Sequence, residues 1–373
     1  MGTGRNTLSG DGSSKAMEQT PRRGEGRGSK FFVLDRDIWS RLWQAPTANR
    51  LNFVSSFLVL LAGTGADNRL TKWSAKACEE RVGMGKPRAK VAIEELISSG
   101  LAERTETSRP NFPQYRLAEP RSTTEPIFLP IQLITGLADE IPILRRVRET
   151  GDPLILRMLV DLYGLVETDA PFAVPLTKLR LADDSSSACR KVVEMGANTV
   201  WALHLSETPS AAGDWSVPHA IKTGSNAWDW SDFWKRLNTL QILGAVWFEP
   251  WVFDGEPLDS EPLYPVEDAA GGRNVSQEAR KISSLSLYAS AALVGERRYL
   301  VDQNVDRNFV IMPTHHRPPA VRGVAKLRVE ADTPGRRMAY AKRMRAIEAQ
   351  VLGLESLLQE TAAGRYDKPI RLI

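Results

Sequence analysis

Apolar residues recur along this chain in two rhythms, steps of three and four over long stretches and steps of two over short ones, and the change of rhythm marks the elements. From Phe31 to Trp43 the positions Leu34, Ile38, Trp39, Leu42 and Trp43 form the stripe of an amphipathic helix. From Leu51 to Gly63, Phe53, Val54, Phe57, Leu58, Leu60 and Leu61 cover more than half a helix circumference, which predicts a helix buried nearly all round, ended by Gly63 and Gly65. Thr71 is the expected N-cap of a helix running to Val82, and Gly83 and Gly85 supply a tight turn. Pro87 suits the first turn of the helix that follows, read as Arg88 to Ser99. Its Ala89, Ala92, Ile93, Leu96 and Ile97 share a face, and Gly100 stands where a left-handed cap belongs. The period then becomes two: Leu101 to Thr105 and Gln114 to Leu117 read as strands, with Glu106 to Pro113 as a hairpin loop.

Further on, Asp152 and Pro153 read as N-cap and first helical residue ahead of Leu154, Ile155, Met158, Leu159, Leu162 and Val166. A second helix, Ser231 to Leu243, carries Phe233, Trp234, Leu237, Leu240 and Ile242; Gly244 then leads into AVWFEPWVF and, past an acidic loop, PLYPV. Pro and Ser interrupt the stretch from about 169 to 229. The last long helix, Arg336 to Glu360, spaces Tyr340, Met344, Ile347, Val351, Leu354 and Leu358 by alternating fours and threes, a heptad seam. Two partners fit that seam, the protein's own core or the same helix of a second copy, so a homodimer is expected.

The order helix, helix, turn, helix, hairpin, with LISSGLAERT followed by a polar loop and QYRL, resembles the winged helix-turn-helix superfamily of DNA-binding domains. The first helix of its pair departs from the usual Leu-Ala pattern by carrying Cys78 and Val82 at inner positions. The stretch from Ser231 onward again resembles helix plus wing, and two such units in series would be similar to many plasmid replication initiators. The expected fold class is therefore mainly α with small β-hairpin wings: two winged-helix units and a C-terminal helix. The corresponding division is a disordered basic arm at 1–30, a DNA-binding domain at 31–120, a linker with short helices at 121–150 and a second winged-helix-like domain at 151–270. A basic mixed region at 271–335 and the C-terminal helix and tail at 336–373 complete it.

The resemblance implies sequence-specific binding of double-stranded DNA, expected of a transcriptional regulator or, alternatively, of a plasmid or mobile-element replication initiator. The alternative of another class is a protein-interaction scaffold. A recognition helix reads bases from its first turns, which points to Lys86, Arg88 and Lys90, expected to face outward together with Pro87. Arg88 is the expected base reader, since a guanidinium pairs bidentately with guanine, and the two lysines suit phosphates. At the wing tip Arg109 and Asn111 are the residues expected to reach an adjacent minor groove or phosphate. Lys235 and Arg236 occupy the second unit's matching helix among Asp229, Asp232 and an acidic wing, which suits a protein partner better than phosphate.

Charge changes this picture by its distribution. The chain has 49 Lys and Arg against 45 Asp and Glu, a net charge of +4 that permits a nucleic-acid partner without demanding one. From Ile311 to Arg345 nine cations face only Glu330 and Asp332, whereas from Val246 to Ala270 seven acids meet no Lys or Arg. No apolar run nears the roughly 20 residues of a membrane span, Phe57 to Ala62 being the longest. The first thirty residues carry no secretion signal, and the two cysteines, Cys78 and Cys189, form no disulfide framework, so a cytoplasmic protein without membrane contact is expected. His315 and His316 lack ligands at zinc spacing, and GTGADNRL lacks the Lys-Ser or Lys-Thr pair of a phosphate loop. Neither an enzyme nor a cofactor or metal site is expected.

Overall fold

The first core forms around a helix with no polar side. In the computed structural model, β1 (Phe31–Leu34), α1 (Arg36–Gln44) and α2 (Arg50–Ala62) open the fold, and every residue of α2 from Phe53 to Leu61 is buried. The residues described are 31–373 without 66, 110, 122–125, 139, 168–171, 182–188, 206–208, 223–226, 256–259, 268–275, 305–306, 366–369 and 371–373, so the basic arm expected at 1–30 lies outside them. Phe31–Leu34 is a strand, not the start of the helix: Phe32 and Leu34 point into the core in alternation, and the helix begins only after Asp35.

Around α2 are gathered β2 (Leu70–Thr71), α3 (Ala75–Val82), α4 (Lys86–Ser98), β3 (Ala102–Arg104) and β4 (Tyr115–Leu117), the three strands forming an antiparallel sheet in the order β2-β4-β3. Thr71 lies in β2, and the N-cap of α3 is Ser74, whose hydroxyl accepts from the Lys76 amide. Then β5 (Ile127–Pro130) pairs with β1, and α5 (Gln132–Thr135), α6 (Ile143–Glu149) and α7 (Pro153–Gly164) close the core from the other side. The Asp152 carboxylate caps α7 at the Leu154 amide, 2.8 Å away, with Pro153 in the first turn as its sequence predicts.

The remainder overturns the expected fold class. It runs β6 (Leu179–Leu181), β7 (Cys189–Met195), β8 (Asn198–Leu203), β9 (Pro209–Ala211), β10 (Ile221–Lys222), β11 (Trp228–Asp229), α8 (Ser231–Ile242), β12 (Val246–Phe253) and β13 (Pro262–Pro265). α9 (Gln277–Val294), α10 (Tyr299–Asp302), β14 (Asn308–Pro313), β15 (Ala320–Leu327) and α11 (Pro334–Ala362) follow. Of the described residues 45% are helical and 23% extended, in five sheets, so the fold is mixed α/β and not mainly α with hairpin wings. The expected second wing is the cause. β12 is paired along its full length with β15, from Val246↔Leu327 to Phe253↔Ala320, and on its other edge with β13. It is thus an inner strand of the sheet β13-β12-β15-β6-β9, and among the described residues β12 and β13 do not form the free-standing hairpin of a second wing. An interior strand is buried on both faces, so its run of apolar residues reads the same as that of a wing.

α8 sends Phe233, Leu237 and Leu240 into the first core, together with Ala325 and Leu327 of β15. The far end of the same sheet, with β14-β8-β7, α9 and α11, encloses a second core containing Trp251, Phe253, Tyr264 and Phe309. The heptad seam faces inward here: Ile347, Leu354 and Leu357 are buried in this core, Met344, Val351 and Leu358 pack on it, and α11 lies along α9. The expected seam dimer is therefore replaced by a contact within the chain, and only Tyr340 of the seam stays exposed.

The acidic stretch and the basic stretch become neighbours in the sheet. Lys326 of β15 lies 3.4 Å from Glu249 of β12, both buried, and His316 lies 3.4 Å from Asp254. Arg328, Arg336 and Arg337 pair with Glu140, Glu330 and Asp332. Much of the basic run thus neutralises carboxylates inside the fold. Among the described residues no helix is long and apolar enough to cross a membrane.

Candidate nucleic-acid interface

The angle between α3 and α4 is set by a short turn that needs glycine. Gly83 ends α3 with φ +65°, a left-handed conformation costly for any residue with a Cβ, and Met84 is fully buried beneath it. The turn is held from outside: Arg148 of α6 donates from Nε to the Val82 carbonyl (2.7 Å) and from its terminal nitrogen to the Gly83 carbonyl (2.9 Å). α4 then packs Ala89, Ala92, Ile93 and Leu96 on α2 and α3, and Gly100, with φ +65°, terminates it as the sequence predicts. The opposite side of its first two turns stays open.

Lys86, Arg88 and Lys90 are all exposed on those turns, but they do not share one narrow face. At about 100° per residue, Lys86 and Lys90 are roughly 40° apart on one flank, and Arg88 falls about 160° away on the other. Pro87, Val91 and Glu94 form the ridge between them. Arg88 lines a shallow cleft of about 340 Å³ with Ala48, Asn49, Asn52 and Glu95. Lys86 Nζ lies 3.6 Å from Glu79, an exposed pair that weakens its charge little. Arg88, Lys90 and Arg109 have no ion-pair partner among the described residues. Glu94, which would repel a phosphate at the ridge, is paired with Arg104 of β3.

The wing is ordered beyond its short strands. The Thr105 amide donates to the Gln114 carbonyl (3.1 Å), Thr107 Oγ1 to Gln114 Oε1 (2.6 Å), and Ser108 Oγ accepts from the Gln114 amide (3.1 Å). At the tip, Arg109 and Phe112 exchange backbone hydrogen bonds, with Arg109 and Asn111 exposed as expected. Phe112 beside them is 77% exposed, and the sequence reading passed over it because it sits in a polar loop outside any periodic run.

The other singled-out residues sit elsewhere. Lys235 is exposed on α8, whereas Arg236 is bonded to Asp152 (2.9 Å), Asp232 (3.4 Å) and the His219 carbonyl (3.0 Å), which ties α8 to α7 rather than offering a cation to a ligand. His219, solitary in sequence, is buried with Nε2 3.0 Å from Asp161 Oδ2, and Asp161 Oδ1 accepts from the Trp39 indole at 2.7 Å. No local pattern announces this network, since its members come from α1, α7 and a turn at 217–219. Burial pushes the Cys78 thiol up to about 11 and that of Cys189 up to about 12, so both stay protonated near neutrality. Among the described residues no group of three His, Cys, Asp or Glu could hold a metal. Compared with protein-family models, with curated proteins and with solved structures, the chain shows no match.

Proposed function

We propose that residues 50–117 form a winged helix that binds double-stranded DNA in a sequence-specific manner, as a regulator of transcription does. The observation that carries this reading is the exposed basic start of α4, projected by the Gly83 turn next to the hairpin β3–β4 in a sheet ordered β2-β4-β3. A helix presented in this way enters the major groove by its first turns. The two flanks then have different tasks. Lys86 and Lys90 are point charges suited to the phosphates of one strand, and Arg88, on the opposite flank, carries the planar fork that pairs with guanine O6 and N7. Arg104, paired with Glu94, offsets part of the one carboxylate charge on the ridge. Exposed at the wing tip, Arg109 and Asn111 suit the adjacent minor groove, where a cation meets strong negative potential.

The test is fluorescence anisotropy with duplexes recovered by the protein from a randomised pool. Replacing Lys86, Arg88 and Lys90 together by Ala is expected to lower affinity by about 100-fold or more near physiological salt. It should also reduce the slope of log K against log salt by about 2, one unit for each of the two lost phosphate contacts. Circular dichroism of the variant should be unchanged, because exposed charges contribute little to stability. Wild-type affinity and salt slope in the folded triple variant would refute the reading.

A further inference from the structure

The wing tip carries a feature that reading by α4 leaves unused. Phe112 is 77% exposed at the end of a hairpin whose conformation is fixed by hydrogen bonds from Thr105 up to the Arg109–Phe112 exchange. The ring contributes no packing to either core. Along the loop Thr107, Arg109 and Asn111 are exposed and polar, and the one apolar described residue next to the ring, Pro113, is half-buried. A surface for docking a protein is a contiguous apolar patch of several hundred Å², and a single aromatic ring among a cation and an amide does not make one. The same grouping matches a DNA groove: a guanidinium for its negative potential, an amide for base edges, and a flat ring that can enter between bases.

We propose that Phe112 is a wedge that enters the minor groove and partly unstacks one base step, so that this protein bends the duplex it binds. The inference rests on duplex binding through α4. With α4 in the major groove the hairpin beside it meets the neighbouring minor groove, about 6 Å wide and 7.5 Å deep, wide enough to admit the edge of a phenyl ring. Arg109, next to it at the tip, anchors to the groove wall and fixes the depth of insertion. Flexible pyrimidine–purine steps opposite the tip are then favoured by their deformability, so the wing selects sequence without reading a base edge.

Duplexes recovered from a randomised pool by the wild-type protein, labelled at both ends, report bending by energy transfer, and 2-aminopurine placed across the site reports unstacking. The expected results are end-to-end shortening and a local rise in 2-aminopurine emission with the wild type, both lost in Phe112→Ala with affinity lowered by about 5- to 100-fold, and both restored in Phe112→Trp. A Phe112→Ala protein that bends and unstacks DNA as the wild type does would overturn the wedge while leaving duplex binding by α4 in place. So would one that loses self-association in sedimentation with its bend unchanged, which would make the ring a contact between copies. A wild-type protein that recovers no duplex from the pool overturns the wedge together with the reading it rests on.

Discussion

Removal of Lys326 should be felt strongly in the second half of the molecule. Its ammonium lies 3.4 Å from Glu249 Oε2 and 5.6 Å from the centre of the Trp251 ring, and the same carboxylate oxygen accepts the Trp251 indole at 2.8 Å. At 3.4 Å, with the effective dielectric of about 20 that suits protein sites, the attraction is about 5 kcal/mol, much of it offset by the cost of burying both charges. Lys326→Met leaves Glu249 buried without its cation, so the expected loss is about 3–5 kcal/mol at pH 7. Glu249→Gln with Lys326→Met should cost only about 1–2 kcal/mol, because no charge is stranded and the amide oxygen can still accept from Trp251. The pH dependence carries a sign. Burial by itself would raise the Glu249 carboxyl, but Lys326, with hydrogen bonds from Ser276 and Trp251, holds it below its usual value. In the wild type its contribution is therefore present above about pH 4.5 and lost as the pH falls through the lowered value. In Lys326→Met burial is opposed only by the hydrogen bonds from Ser276 and Trp251, the carboxyl rises, and the deficit relative to wild type should narrow as the pH is lowered and Glu249 takes up a proton. Urea unfolding of the four proteins of the cycle, followed by tryptophan fluorescence between pH 5 and 8, measures both effects. A coupling below about 1 kcal/mol, or a deficit that grows on acidification, would refute the reasoning.

Two further outcomes follow from the packing. Replacing Val351 and Leu354 together by Asp places two charges in the α9–α11 contact, where Leu354 is fully buried, and should destabilise the protein by at least about 4 kcal/mol; sedimentation should show an unchanged mass for the folded fraction, and a mass halved relative to wild type would restore the seam dimer. Gly83→Ala forces a Cβ to φ +65°, 2.9 Å from Arg145 Nε, and should lower stability by about 1–2 kcal/mol in a thermal melt, most of it from the backbone since the Arg145 side chain can yield.

The amino-terminal elements were legible because their signals are local. Gly83, Pro87 and Gly100 mark the turn, the start and the end of one helix, and the structure puts them in those roles. The boundary error at Thr71 has a local cause as well: Thr71 and Ser74 are both capping residues, and only pairing of Leu70 and Thr71 with β4 decides that the helix waits for Ser74. In the second half the sequence misled for the opposite reason. VWFEPWVF gives the same apolar run in an exposed wing and in an inner strand, and its partner AVRGVAKL lies some seventy residues away, beyond the reach of periodicity. The seam of α11 was legible as a seam, but not its partner, since α9 and a second copy present the same apolar chemistry. Of the candidate site, the cations were legible and their arrangement was partly so. The expectation that Lys86, Arg88 and Lys90 face outward together overlooked their spacing, which sets Arg88 about 160° from both lysines, whereas pairing of Glu94 with Arg104 and the exposure of Phe112 depend on how the hairpin folds back beside α4.

Arg148 has a consequence for where this protein can be cut. Every residue assigned to DNA lies between Lys86 and Phe112, yet the two carbonyls that close the Gly83 turn are satisfied by a guanidinium from α6, more than thirty residues beyond the last of them. β1 in turn is completed by β5, and Trp39 is anchored to Asp161 on α7. A fragment ending after Leu117 would hold all the residues assigned to a duplex and would lose the strap around the turn, one strand of a ladder and the anchor of its first helix. The smallest piece able to fold and bind as the whole does should therefore extend at least through Gly164, and further where α8 and β15 complete the first core, and proteolysis between β4 and α6 should silence binding without removing a single residue assigned to DNA.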